Sequence, residues 1–346
     1  MSAYLDTRVS LFAGRLWPDA VLETLIGMPD SAVADTLIGR GLPQLAMGYD
    51  RTSGEEPPRS LELRIIARIL DEARVLIRPL SGDAHAFLTY WTARFEVSNV
   101  KTLLRSKMTG ERPAAILARL IPMGTFGRLD HADLAHAEDV GELLRRLEDG
   151  PYADIVRRAR RAFEQSHDPF SLDAALDHGY YEGLVQRARP LEDALGAPFR
   201  SLMANLIDRI NLVWLLRYRF NYGLPPAQVY SLLVASHYTL SGTRLRELAA
   251  LDSPAAVLAA LPAAWQPRLS AEADIPAVFA HMEHAAAEQA TRVLRARAPG
   301  IARAFAYLIL RERNLRAVRA VLRGRHLGLS GDDIRLALQR APAGAR

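Results

Sequence analysis

The chain has 346 residues, 49% of them hydrophobic and 24% charged, which is long enough for two or three domains that each bury a core and has the composition of an ordinary globular protein. It contains no cysteine, which excludes disulfides, thiol catalysis and thiolate metal sites. The net charge is +5, carried by arginine apart from Lys101 and Lys107, and such side chains suit bidentate contact with carboxylates or phosphates.

The start, YLDTRVSLFAGRL, has no basic stretch followed by an apolar core, so no signal peptide is expected and the chain should stay in the cytoplasm. Next comes VLETLIGMPDSAVADTL (21–37), a leucine helix, an acidic turn and a Val33–Leu37 pair at helical spacing, before Pro43 breaks the pattern. LELRIIARILDEARVLI (61–77) predicts a helix with Leu63, Ile66, Ile69, Leu70 and Ala73 on its apolar stripe, while Arg64, Arg68, Asp71 and Glu72 fall mostly on the polar side. The helix–turn–helix theme returns in ADLAHAEDVGELLRRL (132–147), with Val140 and Leu144 before Pro151. It returns again in RLRELAALDSPAAVLAAL (244–261), with Val257 and Leu261 before Pro267. Long helical patterns cover 277–298 and 303–324. No run alternates with period two, no hairpin signal occurs, and no apolar run approaches the roughly 18 residues that cross a bilayer, so the fold class is all-α.

Three blocks align. They are FEVSNVKTLLRSKMTG, LIDRINLVWLLRYRFNYG and LRERNLRAVRAVLRGRHLG. Of only five asparagines in the chain, three (Asn99, Asn211 and Asn314) occupy the same place in these blocks, so chance is a poor explanation. One and four residues later stand Val100 and Leu103, Leu212 and Leu215, Leu315 and Val318, which share a helix face. A basic cluster follows (Arg105 and Lys107, Arg217 and Arg219, Arg323 and Arg325) and then a glycine at 110, 223 or 328. Cations in a last turn before glycine are what a helix C-terminus requires. The third block departs from the others, because Arg319 and Ala320 replace the Leu-Arg pair and its basic cluster starts three residues later. The pattern predicts three similar helical domains, 1–110, 111–223 and 224–346. The asparagines are expected to be structural, bonding across helices, and the six basic residues are candidates for a partner interface, with capping of helix carbonyls as the alternative.

These Asn-centred helices, the third block RERNLRAVRAVLRGRHLGLS and the start YLDTRVSLFAGRL together resemble the C subunit of bacterial and archaeal V/A-type ATPases, a relative of the eukaryotic vacuolar d subunit, over about residues 4–336. The resemblance implies a pseudo-threefold funnel of three helical domains. It implies a non-catalytic coupling part on the cytoplasmic face of the membrane, seated on the membrane rotor ring and receiving the central shaft, a coiled-coil protein with its small partner. It implies no cofactor and no nucleic acid.

Rival chemistries leave only weak traces. His281, His284 and Glu288 sit at i, i+3, i+7, but two histidines without a second cluster make a weak metal motif. DHADLAH (130–136) reads as a helix cap, and GTFG (124–127) has a turn's glycines without the Gly-Lys-Ser/Thr ending of a phosphate loop. Nothing resembles a nucleophile elbow. An Arg-rich helical scaffold for nucleic acid is the main alternative, with WLLRYRFNY (214–222) its only supporting stretch, and core packing explains those aromatics equally well.

Overall fold

The computed structural model describes residues 2–46, 58–263, 265, 269 and 274–340. Within them every regular element is helical, as expected for an all-α chain. The N-terminal stretch forms α1 (Ser2–Ala13), α2 (Asp19–Gly27), α3 (Asp30–Gly39) and the single turn α4 (Pro43–Ala46), followed by the long pair α5 (Pro58–Ile77) and α6 (Gly82–Met108). The middle carries α7 (Pro113–Leu117), α8 (His131–Ala135), α9 (Val140–Glu148), α10 (Ala153–Ser166) and a second long pair, α11 (Pro169–Leu195) and α12 (Ala197–Leu216), the last continued by a π turn over Arg217–Asn221. The remainder comprises α13 (Pro226–Leu232), α14 (Gly242–Ala249), α15 (Pro254–Ala259), a third long pair α16 (Ile275–Arg295) and α17 (Gly300–His326), and α18 (Gly331–Arg340). Pro267, read as a break, lies outside the described residues. No helix among the described residues is long and apolar enough to cross a membrane.

The three long pairs are helical hairpins with short connections, the middle one turned by Gly196 alone at φ 68°. They pack in a closed circuit, α5 on α6, α6 on α11, α11 on α12, α12 on α16, α16 on α17 and α17 back on α5. The second helix of each hairpin carries the repeated asparagine. Its aliphatic partners Val100, Leu103, Leu212, Leu215, Leu315 and Val318 are all buried, which is the face the i+1, i+4 spacing predicts. Each of these helices ends in a glycine of nearly identical left-handed geometry, Gly110 at φ 69° and Gly223 and Gly328 at 68°. The amides of Glu111, Leu224 and Leu329 then reach back to the carbonyls of Ser106, Tyr218 and Gly324, closing three like C-terminal caps.

The two-helix units read from the sequence, α2–α3, α8–α9 and α14–α15, dock beside these hairpins through Val33, Leu37, Leu144, Val257 and Leu261, all buried, and the partly buried Val140. One core runs from Leu5 to Ile334, and a second cluster joins the end of α12 to α13–α15 and the start of α16. Two expectations need correction. Glu72, read on the polar side of α5, is 2% exposed, because Arg311 and Tyr307 of α17 meet it inside the core. The asparagines bond chiefly to backbone in connecting segments, and across helices only Asn99 has a further partner among the described residues, His131 at the start of α8, at 3.5 Å.

Candidate functional site

Each repeated asparagine makes the same pair of hydrogen bonds. Asn99 Nδ2 donates to the Ile121 carbonyl at 2.8 Å while its Oδ1 accepts from the Ile121 amide at 2.7 Å. Asn211 holds Val234 in the same way at 2.9 and 2.8 Å, and Asn314 holds Trp17 at 3.0 and 3.2 Å. A side-chain amide matches a peptide in both donor and acceptor, so this contact satisfies two buried backbone groups at once. The clamped residue precedes α8, α14 and α2 respectively, so each hairpin holds the two-helix unit of the following block, and the third hairpin holds the first unit.

A basic residue further along the same helix secures the other end of that unit. Lys107 Nζ donates to the Ala135 carbonyl at 2.7 Å, Arg219 Nε to that of Ala249 at 3.3 Å, and Arg325 Nη1 to those of Leu25 and Ile26 at 3.0 and 2.6 Å. All are last-turn carbonyls of the unit's first helix, where a cation also opposes the dipole. Of the other basic candidates, Arg105 pairs with Asp173 of α11, whereas the side chains of Arg217 and the exposed Arg323 make no hydrogen bond or ion pair among the described residues.

The opposite face of these helices meets a cavity of about 480 Å³. At 3.6 residues per turn a position two removed from the asparagine points about 200° away from it. Val97 and Lys101, Arg209 and Val213, and Glu312 and Arg316 therefore line the cavity from corresponding positions of the three hairpins. Six cationic residues line it (Arg94, Lys101, Arg209, Arg217, Arg316 and Arg319) against three acidic ones (Glu62, Asp177 and Glu312), an excess of three positive charges among the described lining.

Ion pairs bridge neighbouring hairpins around this space. Arg94 meets Glu312 at 2.8 Å, Lys101 meets Asp177 at 2.9 Å and Arg319 meets Glu62 at 3.4 Å, while Arg316 holds Glu283 at 2.8 Å within the third hairpin. Burial works against the charge of Glu312, but Arg94 and Arg316 outweigh it and hold its carboxyl below the usual range. For Asp177 burial prevails over Lys101 and raises the carboxyl. Burial likewise pushes the Tyr181 phenol up to about 12.

Arg94, Arg209 and Glu312 escaped the sequence reading, which followed the asparagine face and its basic ends. For Arg209 and Glu312 the signal was the helical period itself, since residues at Asn±2 had to occupy the opposite face. The rival motifs fall elsewhere. Asp130 caps α8 by accepting from the Ala132 and Asp133 amides at 3.0 Å each, and GTFG forms a 3₁₀ turn. His284 pairs with Glu288 at 3.3 Å on an open face, and no group of three potential metal ligands occurs among the described residues. Trp214 and Tyr218 stack on each other, and Phe170 packs against both Tyr218 and Tyr222.

Three clamped helical hairpins around a charged cavity define an all-α protein built by internal repetition. The chain belongs to the ATP synthase (C/AC39) subunit family, whose model matches residues 5–336. It is 23% identical over 344 residues to the A-type ATP synthase C subunit of Methanocaldococcus jannaschii, covering 96% of this chain and 85% of that one. The C subunit of Methanothermobacter thermautotrophicus is 24% identical over 75% of this chain and 65% of its own, and that of Methanosarcina mazei 25% over 72% and 66%. The family resemblance carried by the Asn-centred blocks is borne out.

Proposed function

We propose that the chain is the non-catalytic central-rotor adaptor of a V/A-type rotary ATPase, coupling the central shaft to the membrane rotor ring on the cytoplasmic face. In this reading the blocks 1–110, 111–223 and 224–346 are the three domains of a pseudo-threefold funnel, and the cavity between their hairpins receives the shaft. The observation that supports it best is that the three Asn-bearing helices line one cavity with residues at the same offset from their asparagines. A part that transmits torque needs walls that do not shear, and a closed circuit of hairpins with ion pairs between neighbours meets that need. Membership of the ATP synthase (C/AC39) subunit family supports the same assignment. Arg105, Arg217 and Arg323 remain the basic candidates for contact with partners, while Lys107, Arg219 and Arg325 act on them through the helices they cap.

Native mass spectrometry of the tagged protein, purified in mild detergent from the membranes of its own cells, tests this. Association with a small apolar ring-forming protein and a coiled-coil shaft protein is expected. Recovery of the protein alone, or with nucleic acid that salt removes, would overturn it.

A further inference from the structure

We propose that the cavity takes a carboxylate carried on the tip of a helical protein segment, and that Arg209 is the residue that holds it. The inference rests on the adaptor reading and names the chemistry of the shaft end that enters.

Among the described cations of the wall, Arg209 and Arg217 have no carboxylate partner, and of these two Arg209 has a donor that is buried with nothing to bond. Arg94, Lys101, Arg316 and Arg319 each have a carboxylate partner, and the Arg94 guanidinium also lies over the Trp91 ring at 3.7 Å from its centroid. The Arg209 side chain makes no hydrogen bond or ion pair among the described residues, and its Nε is fully buried. Its guanidinium rests near the Phe279 ring, 5.4 Å from the centroid, with Glu283 and Glu312 near enough to act on it only through space. Folded chains seldom leave buried donors bare, and where they do a ligand is a common reason. Arg94 adds two more bare donors, Nε and Nη2. The wall therefore offers N–H groups and positive charge and asks for an acceptor that carries negative charge.

The remaining wall says what bears that acceptor. Apolar side chains, among them Ile66, Val213, Trp214 and Phe279, alternate with the charges, so the occupant has an apolar body as well as an anionic end. A helix about 10–12 Å across has a cross-section of roughly 80–110 Å², so about one turn of helix fills such a space. The 480 Å³ cavity thus matches a tip and not a rod. Free phosphate would satisfy the guanidiniums but leave the apolar part of the wall uncovered, and phosphate sites commonly add backbone amides at helix N-termini or glycine loops. Here most of the lining comes from inside the long helices, where the amides are committed to the helix ladder. A helix N-terminus entering the cavity would set donors against donors, so the tip must bring a side-chain carboxylate.

The test uses the full chain and the coiled-coil shaft protein of the same rotary ATPase, with binding measured at two salt concentrations. Arg209→Met keeps the apolar stem and removes the charge, and circular dichroism and the thermal midpoint check its fold. The expected result is a loss of affinity of about 30-fold or more with a weaker salt dependence, since truncating one partner of a desolvated charge pair acts mainly on dissociation. In a second arm each Asp and Glu at the shaft tip is changed to Arg and tested against Arg209→Glu. Restored binding for one such pair identifies the carboxylate. If the wild-type protein binds the shaft and a folded Arg209→Met binds equally well, the inference is overturned while the adaptor reading stands. If the wild-type protein does not bind the shaft, both fall. If inorganic phosphate binds the wild type and not Arg209→Met while shaft affinity is unchanged, the site is a small-anion site and the inference is overturned.

Discussion

Asn211 and Asn314 make the same two hydrogen bonds, yet the peptides they hold lie 23 and 297 residues away. Asn99, with Ile121 only 22 residues on, is of the first kind. In the first two hairpins the clamp closes a local loop, so little chain entropy opposes it. In the third it must bring the two ends of the chain together, and the surroundings differ accordingly. At three residues before the asparagine the serial clamps carry acids, Glu96 accepting from the Arg128 and Leu129 amides and Asp208 from those of Thr239 and Leu240. The closing clamp carries Arg311 there instead, fully buried, bonded to Glu72 through two nitrogens and to the Arg15 carbonyl. A forked ion pair tolerates no slip of register, which is what a joint without a nearby chain connection lacks.

The comparison breaks most easily at Glu72. Replacing it by Ala leaves Arg311 buried and without its carboxylate, a loss of about 3–5 kcal/mol. The double replacement Glu72→Met with Arg311→Met is expected to recover only part of that, because the apolar pair strands no charge but leaves the Tyr307 hydroxyl and the Arg15 carbonyl without their partners. Thermal midpoints of the two variants decide the point. If the single replacement costs less than about 1 kcal/mol, the closing joint does not depend on this pair.

Next come the asparagines. Replacement by Ala strands one buried donor and one buried acceptor, a cost of about 2–4 kcal/mol at each site. The sites should differ in where protection is lost. Hydrogen exchange in Asn211→Ala should rise in α13–α15, and in Asn314→Ala over α1–α3, far from the substitution in sequence. Equal and uniform loosening in both variants would mean that the clamps are not local devices.

Asp208 separates the second hairpin from the third by its response to pH. Burial pushes its carboxyl up to about 6 despite the amides of Leu240 and Thr239, from an ordinary value near 3.8. A carboxyl raised on folding favours the folded state most when protonated. Its contribution is therefore fully present below about pH 4, is lost as the pH rises towards 6, and stays lost above it. The change is on the order of 3 kcal/mol. Asp208→Asn should flatten that part of the stability profile, read as the thermal midpoint between about pH 4 and 7. An unchanged slope would place the titration elsewhere.

Much of this was legible in the sequence, and the physical reason is periodicity. The asparagines, their buried aliphatic neighbours and the terminal glycines obey local rules of helix geometry, so the hairpin ends were predictable residue by residue. Glu72 and Arg311 were not, because nothing local announces that two charges 239 positions apart meet inside a core. The cavity face was half visible. Arg209 and Glu312 stand at the same offset from their asparagines, but only a closed circuit of hairpins turns that offset towards a shared space. The later basic cluster of the third block has no such local reason: Arg325 stands three residues further from its asparagine than Arg219 does, although α2 with nine residues is hardly longer than α14 with eight.

The smallest effect expected is at those cations. Arg219 makes one long bond, 3.3 Å to Ala249, and lies 3.8 Å from an Asp252 carboxylate that is open to water. Solvent competes for both contacts, so Arg219→Met should cost only about 0.5 kcal/mol. Arg325 reaches the carbonyls of Leu25, Ile26 and Met28 and the Asp30 carboxylate, and its side chain is 11% exposed. Several of these acceptors would be left without their donor at once, so Arg325→Met should cost about 1–2 kcal/mol. The two substitutions remove the same side chain from corresponding places, and the difference between their thermal midpoints therefore measures how much more the closing joint relies on side chains. Equal midpoints would mean that the third hairpin needs no more anchoring than the second.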